Sequence, residues 1–278
     1  MANRIRSVEV RNLVLNPAEA ELSVRLHPEH DHESVELHGR FWGPVCAYSS
    51  TVQVPYPLQS LGGGSLHSGS LHKRVVIPEP SWWDPIAPFL YNASIELWED
   101  GQLCDRVEMH HGLRALRRSG PKFLLNGRPL EPRPLCYDRQ SREELVRLHQ
   151  AGGNTLVVPI PGMLPETCDL ADQLGFLVIG RLGSGEDSLS LAKKLGEHTS
   201  VFGWVIEPDT FGDQFDFSAP GLSDEQGPGR FVGVHWCGAS VSYPAGAQFL
   251  LCDDKDVSSA AQLRLPIVAL ANPSMVQA

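Results

Sequence analysis

Residues 141–160 read SREELVRLHQAGGNTLVVPI, and their reading decides the fold. Ser141 followed three residues later by Glu144 is a capping box, in which a hydroxyl and a carboxylate each satisfy a backbone N–H left open at a helix start. Leu145, Leu148 and His149 then share one face at helical spacing. Gly152 and Gly153 end the helix, and NTLVVPI is an apolar run of strand length. The pattern recurs: LPETCDLADQLG closes at Gly175 and is followed by FLVIGRL, and DSLSLAKKLGEH is followed by VFGWVIE. Short apolar strands alternating with helices specify βαβ units and a parallel sheet. With RPLCYD ahead of the first helix, four such strands are reached by residue 207. RFVGVHWCG, AQFLLCDD and LPIVALAN read as three more buried strands. Their connections are short or rich in Gly and Pro, and only VSSAAQLR reads as helical.

Upstream the period changes. SVEVRNLVL, AELSVRLH, SVELHGRFW, STVQVPYPL, HKRVVIPEP, NASIELWED and LCDRVEMHHGLRAL alternate apolar and polar residues between Gly, Pro, Asp and Asn. Seven short strands in a stretch of this size form an antiparallel sandwich of immunoglobulin-like dimensions. Asp100-Gly101 between two alternating runs is a hairpin signal. LGGGSLHSGSLH (61–72) is low in complexity, lacks a phosphate-loop ending and reads as a flexible connection. The texture shifts near Ser119-Gly120-Pro121. The expected fold class is therefore multidomain, β plus α/β: an immunoglobulin-like β-sandwich over 1–120, then a reduced or incomplete TIM-type (β/α) barrel over 121–278.

The chain has 278 residues, 42% of them hydrophobic, and a net charge of −10. An acidic balance argues against nucleic acid and anionic membranes as partners. No charged start leads into an apolar run, and no run has the ~20 residues of a membrane helix. Six cysteines without a C-x-x-C pair read as reduced, buried thiols of a cytoplasmic protein. No Gly-x-Ser-x-Gly elbow or dinucleotide fingerprint is present, and no cofactor is expected. His27, His30, His32 and His38 lie in an acid-rich loop, and His110-His111 in a strand; neither group reads as a metal site.

The stretch FLLNGRPLEPRP (123–134) narrows the reading. Before it come Trp83, Pro85, Pro88, Leu90 and Tyr91, then Gly112-Leu113-Arg114. Within it stand Leu124, Asn126, Gly127, Pro129 and Arg133, and after it Gly153-Asn154-Thr155-Leu156-Val157 and Cys168 through Ile179. This order resembles glycoside hydrolase family 2, the β-galactosidase and β-glucuronidase family, over roughly residues 75–210. The resemblance implies a sandwich leading into a TIM barrel, a carbohydrate substrate, and hydrolysis with retention by two carboxylates about 5–5.5 Å apart.

The residues that would carry that chemistry are altered. The family's acid/base motif ends in Asn-Glu after a Trp; here Trp204 is followed by Glu207-Pro208-Asp209. The Asn position holds Pro208 and the Glu position holds Asp209, one methylene short. Glu207 stands two positions early, on the same strand face. The family's nucleophile is a Glu on a late strand, and LPIVALAN has no carboxylate; no Glu follows Glu225. Asp253, Asp254 and Asp256 are the late acids. The family's Arg and two His on the first two barrel strands are replaced in Arg133–Asp138 and Leu156–Ile160. Residues 121–278 number 158, against about 250 for a whole barrel.

The expectation is a family 2-like pseudoenzyme that binds carbohydrate or a protein. Trp204, Asp209, His235, Trp236 and Asp253 are its candidate ligand-binding residues, and it has no catalytic pair and no metal. A partner protein or a second copy would cover the shortened barrel. Two alternatives stand: an active glycosidase with Glu207 as acid/base, and a purely structural assembly module.

Overall fold

The computed structural model describes residues 3–30, 34–60, 70–137, 139, 141–160, 163–183, 186–207, 230–237 and 246–270. Two compact units are present, one built from residues 1–83 and 87–113 and the other from residues 84–86 and 114–278.

The first unit is antiparallel. Its strands are β1 (Ile5–Leu15), β2 (Glu19–Pro28), β3 (Val35–Val45), β4 (Val54–Pro57), β5 (Gln59–Ser60), β6 (Leu71–Pro78), β7 (Leu90–Glu99) and β8 (Gln102–His111). They form two four-stranded sheets, β1-β2-β6-β5 and β4-β3-β7-β8. Alternation explains the burial: Ala20, Leu22, Val24 and Leu26 of β2, and Tyr91, Ala93, Ile95 and Leu97 of β7, point into one shared core. Asp100 (φ 52°) and Gly101 (φ 75°) turn β7 into β8 with both residues left-handed, as the hairpin signal required. Most of the LGGGSLHSGSLH stretch lies outside the described residues, and its last two residues open β6.

The second unit opens with a small antiparallel sheet, β9 (Leu116–Ser119), β10 (Lys122–Leu125) and β11 (Arg128–Leu130), in the order β11-β10-β9. Asn126 (φ 52°) and Gly127 (φ 78°) make its second turn. Then come β12 (Pro134–Cys136), α1 (Arg142–Gln150), β13 (Thr155–Pro159), α2 (Pro165–Leu174), β14 (Leu177–Leu182), α3 (Glu186–Leu195), β15 (Val201–Ile206), β16 (Phe231–Trp236), β17 (Phe249–Asp253), α4 (Val257–Ala260) and β18 (Ile267–Leu270). β12 to β18 form one seven-stranded sheet in sequence order, every pair parallel. Its edge strands β12 and β18 approach one another, so the sheet curls into a nearly closed barrel. All seven expected strands are present. The capping box is also there: Ser141 Oγ accepts from Glu144 N, and the Glu144 carboxylate accepts from Ser141 N.

The barrel has two apolar layers. Outside, Leu145 of α1, Ala171 and Leu174 of α2, and Ala192 and Leu195 of α3 pack against Leu156, Val158, Val178, Val232 and Val234. Inside, at the N-terminal end of the strands, four phenylalanines meet. Phe123 of β10 lies with its ring centroid 4.8 Å from Phe202, 5.3 Å from Phe231 and 6.0 Å from Phe249. The small antiparallel sheet thus supplies the floor of the barrel. Gly233 makes room for it, since a Cβ there would lie 2.6 Å from the Phe249 ring.

Candidate functional site at the barrel mouth

Three adjacent strands end in charged or polar residues at the opposite, C-terminal end of the barrel, where (β/α) barrels carry their sites. A register shift where β14 meets β15, between Val178↔Val201 and Ile179↔Gly203, marks a bulge at Phe202-Gly203. Val205 then lies beside Gly233 on the same face as the floor. Glu207 and His235 each follow two residues later and keep that inward face. Arg181 is level with Val205 on the other side.

Arg181 Nε donates to Glu207 Oε1 at 2.8 Å, and its Nη2 donates to the same oxygen. His235 Nδ1 lies 2.8 Å from Glu207 Oε2. Both carboxylate oxygens are therefore engaged, one by each neighbouring strand. Burial pushes the Glu207 carboxyl up, but the hydrogen bonds from His235 and Arg181 and the Arg181 charge outweigh it and hold the group below its ordinary value. Glu207 is thus an anion at neutral pH. An ionised carboxylate only accepts, so Nδ1 of His235 carries the proton in their bond.

The other residues singled out from the sequence lie elsewhere. Trp204 and Trp236 belong to the helix-facing layer, 0% and 6% exposed, and not to the mouth. Each precedes an inward residue by one or follows one by one, so strand alternation turns it outward. Trp204 fills the space over Gly180, where a Cβ would lie 2.5 Å from its ring. Asp253 ends β17, exposed, with Lys255 Nζ 3.8 Å away. Asp209 lies outside the described residues. Cys168 and Cys252 are buried, but Cys136 and Cys237, expected inside, are exposed, since each stands at or just past the end of its strand.

Arg181 was not anticipated. The signal for it was in FLVIGRL: an arginine inside an apolar strand needs a carboxylate nearby. Arg114 was matched to the family without a role. It is 1% exposed, and its Nη2 donates to the Val201 carbonyl at 2.5 Å. Burial lowers its pKa to about 9, against the opposing charge of Asp172. Asp172, also 1% exposed, accepts from Ser200 N at 2.5 Å and lies 3.1 Å from His198 Nδ1. This buried network anchors the start of β15, at the end away from the mouth.

Comparison with known proteins agrees with this architecture. The model of the family "Glycosyl hydrolases family 2" matches residues 3–114. A β-galactosidase of Thermoanaerobacter pseudethanolicus is 33% identical over 172 residues, an alignment covering 52% of this chain and 23% of that protein. A putative β-galactosidase from Bacteroides fragilis superposes with a TM-score of 0.70 at 14% identity, over 96% of this chain and 48% of the other. A β-glycosidase from Bacteroides vulgatus gives 0.69 at 16% identity, over 98% and 38%. At such identity the solved structures show the fold alone. The chain thus spans under a quarter of the curated relative and under half of each of these structures. By its matched segment, the order of its motifs and its fold, the chain is a divergent relative of the glycosyl hydrolases of family 2.

Proposed function

We propose that this chain is a family 2-like protein that binds through its barrel mouth and does not hydrolyse glycosides, its ligand being a carbohydrate or a protein. One observation carries the reading: Glu207, the best-placed acid, has both oxygens taken by Arg181 and His235. A general acid must arrive protonated, which calls for a raised pKa, and Glu207 is shifted the other way. The second requirement is a facing carboxylate. Asp253 sits two strands from Glu207, with β16 between them. That is about 10 Å across the sheet, and Asp253 stands two residues further along, about 7 Å more. The Asp253 carboxylate is exposed, with Lys255 Nζ 3.8 Å away, which supports the absence of a working pair.

The relatives' names support carbohydrate as the ligand class, as do the charged and polar groups that remain at the mouth. We read the first unit as an immunoglobulin-like sandwich from its two four-stranded antiparallel sheets. Cytoplasmic placement rests on six cysteines without a C-x-x-C pair. The decisive assay is turnover of nitrophenyl β-galactoside, β-glucoside and β-glucuronide by the purified chain. The expected rate equals the buffer blank for wild type and Glu207→Gln alike. Turnover that Glu207→Gln abolishes would establish an active glycosidase instead.

A further inference from the structure

We infer that the ligand-contacting group of the mouth is His235, whose Nε2 accepts a hydrogen bond from a sugar hydroxyl while Glu207 and Arg181 stand behind it as positioning residues. The inference rests on the binding role proposed above and names the atom that performs it. It starts from an ordering of three side chains across three strands. Arg181 fixes Oε1 of Glu207, which leaves Oε2 to receive Nδ1–H of His235 at 2.8 Å. A bond on one ring nitrogen decides the state of the other. With the proton on Nδ1, the neutral ring has its lone pair on Nε2, on the side away from Glu207.

None of the described residues takes that Nε2. The three side chains remain partly open, 36% for Arg181, 27% for Glu207 and 15% for His235. Glu207 is the middle member, and three of its roughly four acceptor sites are taken by its two neighbours, which leaves the bare nitrogen of His235 as the acceptor these bonds orient. Carboxylate, imidazole and outward lone pair form the arrangement by which proteins orient a histidine toward a bound group. A hydroxyl-rich ligand offers the O–H donors that such a lone pair accepts.

Two measurements on the full chain test this. In the first, nitrogen-15 imidazole spectra of the labelled protein, with His235 assigned by its loss in His235→Gln, report which ring nitrogen is protonated in the neutral form. Nδ1 protonated and Nε2 bare is expected, with the preference lost in Glu207→Ala. Nε2 protonated in the neutral ring of the wild type would overturn the inference whatever the ligand. In the second, methyl β-galactoside and methyl β-glucoside are titrated by calorimetry and by the same spectra. Binding that displaces the Nε2 resonance, and that weakens about tenfold in His235→Gln as for one lost hydrogen bond, supports it. Binding that leaves the resonance still and the affinity unchanged sinks the role of His235 and leaves the binding function standing. No binding of either glycoside sinks the carbohydrate reading, and the tautomer then decides His235 separately.

Discussion

The two ends of the barrel are built on opposite principles. At the floor, Phe123, Phe202, Phe231 and Phe249 meet ring against ring, edge to face or tilted. At the mouth, with the layer of Val205 and Gly233 between, Arg181, Glu207 and His235 satisfy one another. The contacts among these rings depend on area and shape and carry no titrating group. The mouth is held by charge, which depends on salt and pH. Burial at one end supplies stability that lets the other end carry polar groups at modest cost, and the same scaffold can keep its fold while its mouth changes chemistry.

The comparison breaks first at Phe123. It belongs to the antiparallel sheet, and it is the floor contact that comes from outside the parallel strands. Phe123→Ala removes its contacts with three other rings and leaves a hole beneath the barrel. The expected loss is about 3–5 kcal/mol in urea unfolding. A loss under about 1 kcal/mol would show that the floor collapses onto itself without it. Gly203→Ala attacks the other boundary. A Cβ there would lie 2.1 Å from the Phe231 carbonyl oxygen, so β15 and β16 must part by backbone movement. About 1–3 kcal/mol is expected, together with loss of the Glu207–His235 bond, read as release of the His235 tautomer. A stable variant with that tautomer intact would mean that the mouth does not depend on the bulge.

Much of this was legible because it is local. The period of the strands, the capping box at Ser141 and the left-handed pair Asp100-Gly101 are properties of a few consecutive residues. The sheet order follows from them, since helix-connected strands of like length stack in sequence. What escaped is what depends on facing and on distance along the chain. Trp204 read as a mouth residue because it stands in an aromatic position near Glu207. One step of alternation, after a bulge that no local pattern announces, turns it to the helices. The Asn126-Gly127 turn was evident, but not that its hairpin inserts Phe123 among residues up to 126 positions away in the chain. Arg181 and Glu207 are 26 positions apart, and only the parallel register makes them neighbours.

On the mouth side, the start of α1 is fixed by the reciprocal bonds of Ser141 and Glu144. Ser141→Ala should cost about 1 kcal/mol, and it should leave the floor untouched. Hydrogen exchange would show this as faster opening confined to the first turn of α1. Faster exchange in β15 or β16 would mean that the two ends are not independent.

The smallest effect discriminates best between the ends. Glu207 is held below its ordinary carboxylate pKa in the fold. A depressed group stabilises the native state at every pH above its unfolded value, and that contribution is lost as pH falls through the folded value. Glu207→Gln removes the charge at all pH values. The difference in stability between wild type and variant should therefore be constant above about pH 5 and shrink below the unperturbed value of 4.5, until the two coincide in strong acid. With side chains this exposed, the plateau should be under about 1 kcal/mol and should fall further in high salt. Phe123→Ala, measured over the same range, should give a difference that does not change with pH at all. If the Glu207→Gln difference were equally flat, the carboxylate would not be held as an anion by Arg181 and His235, and the case against its acting as an acid would lose its footing.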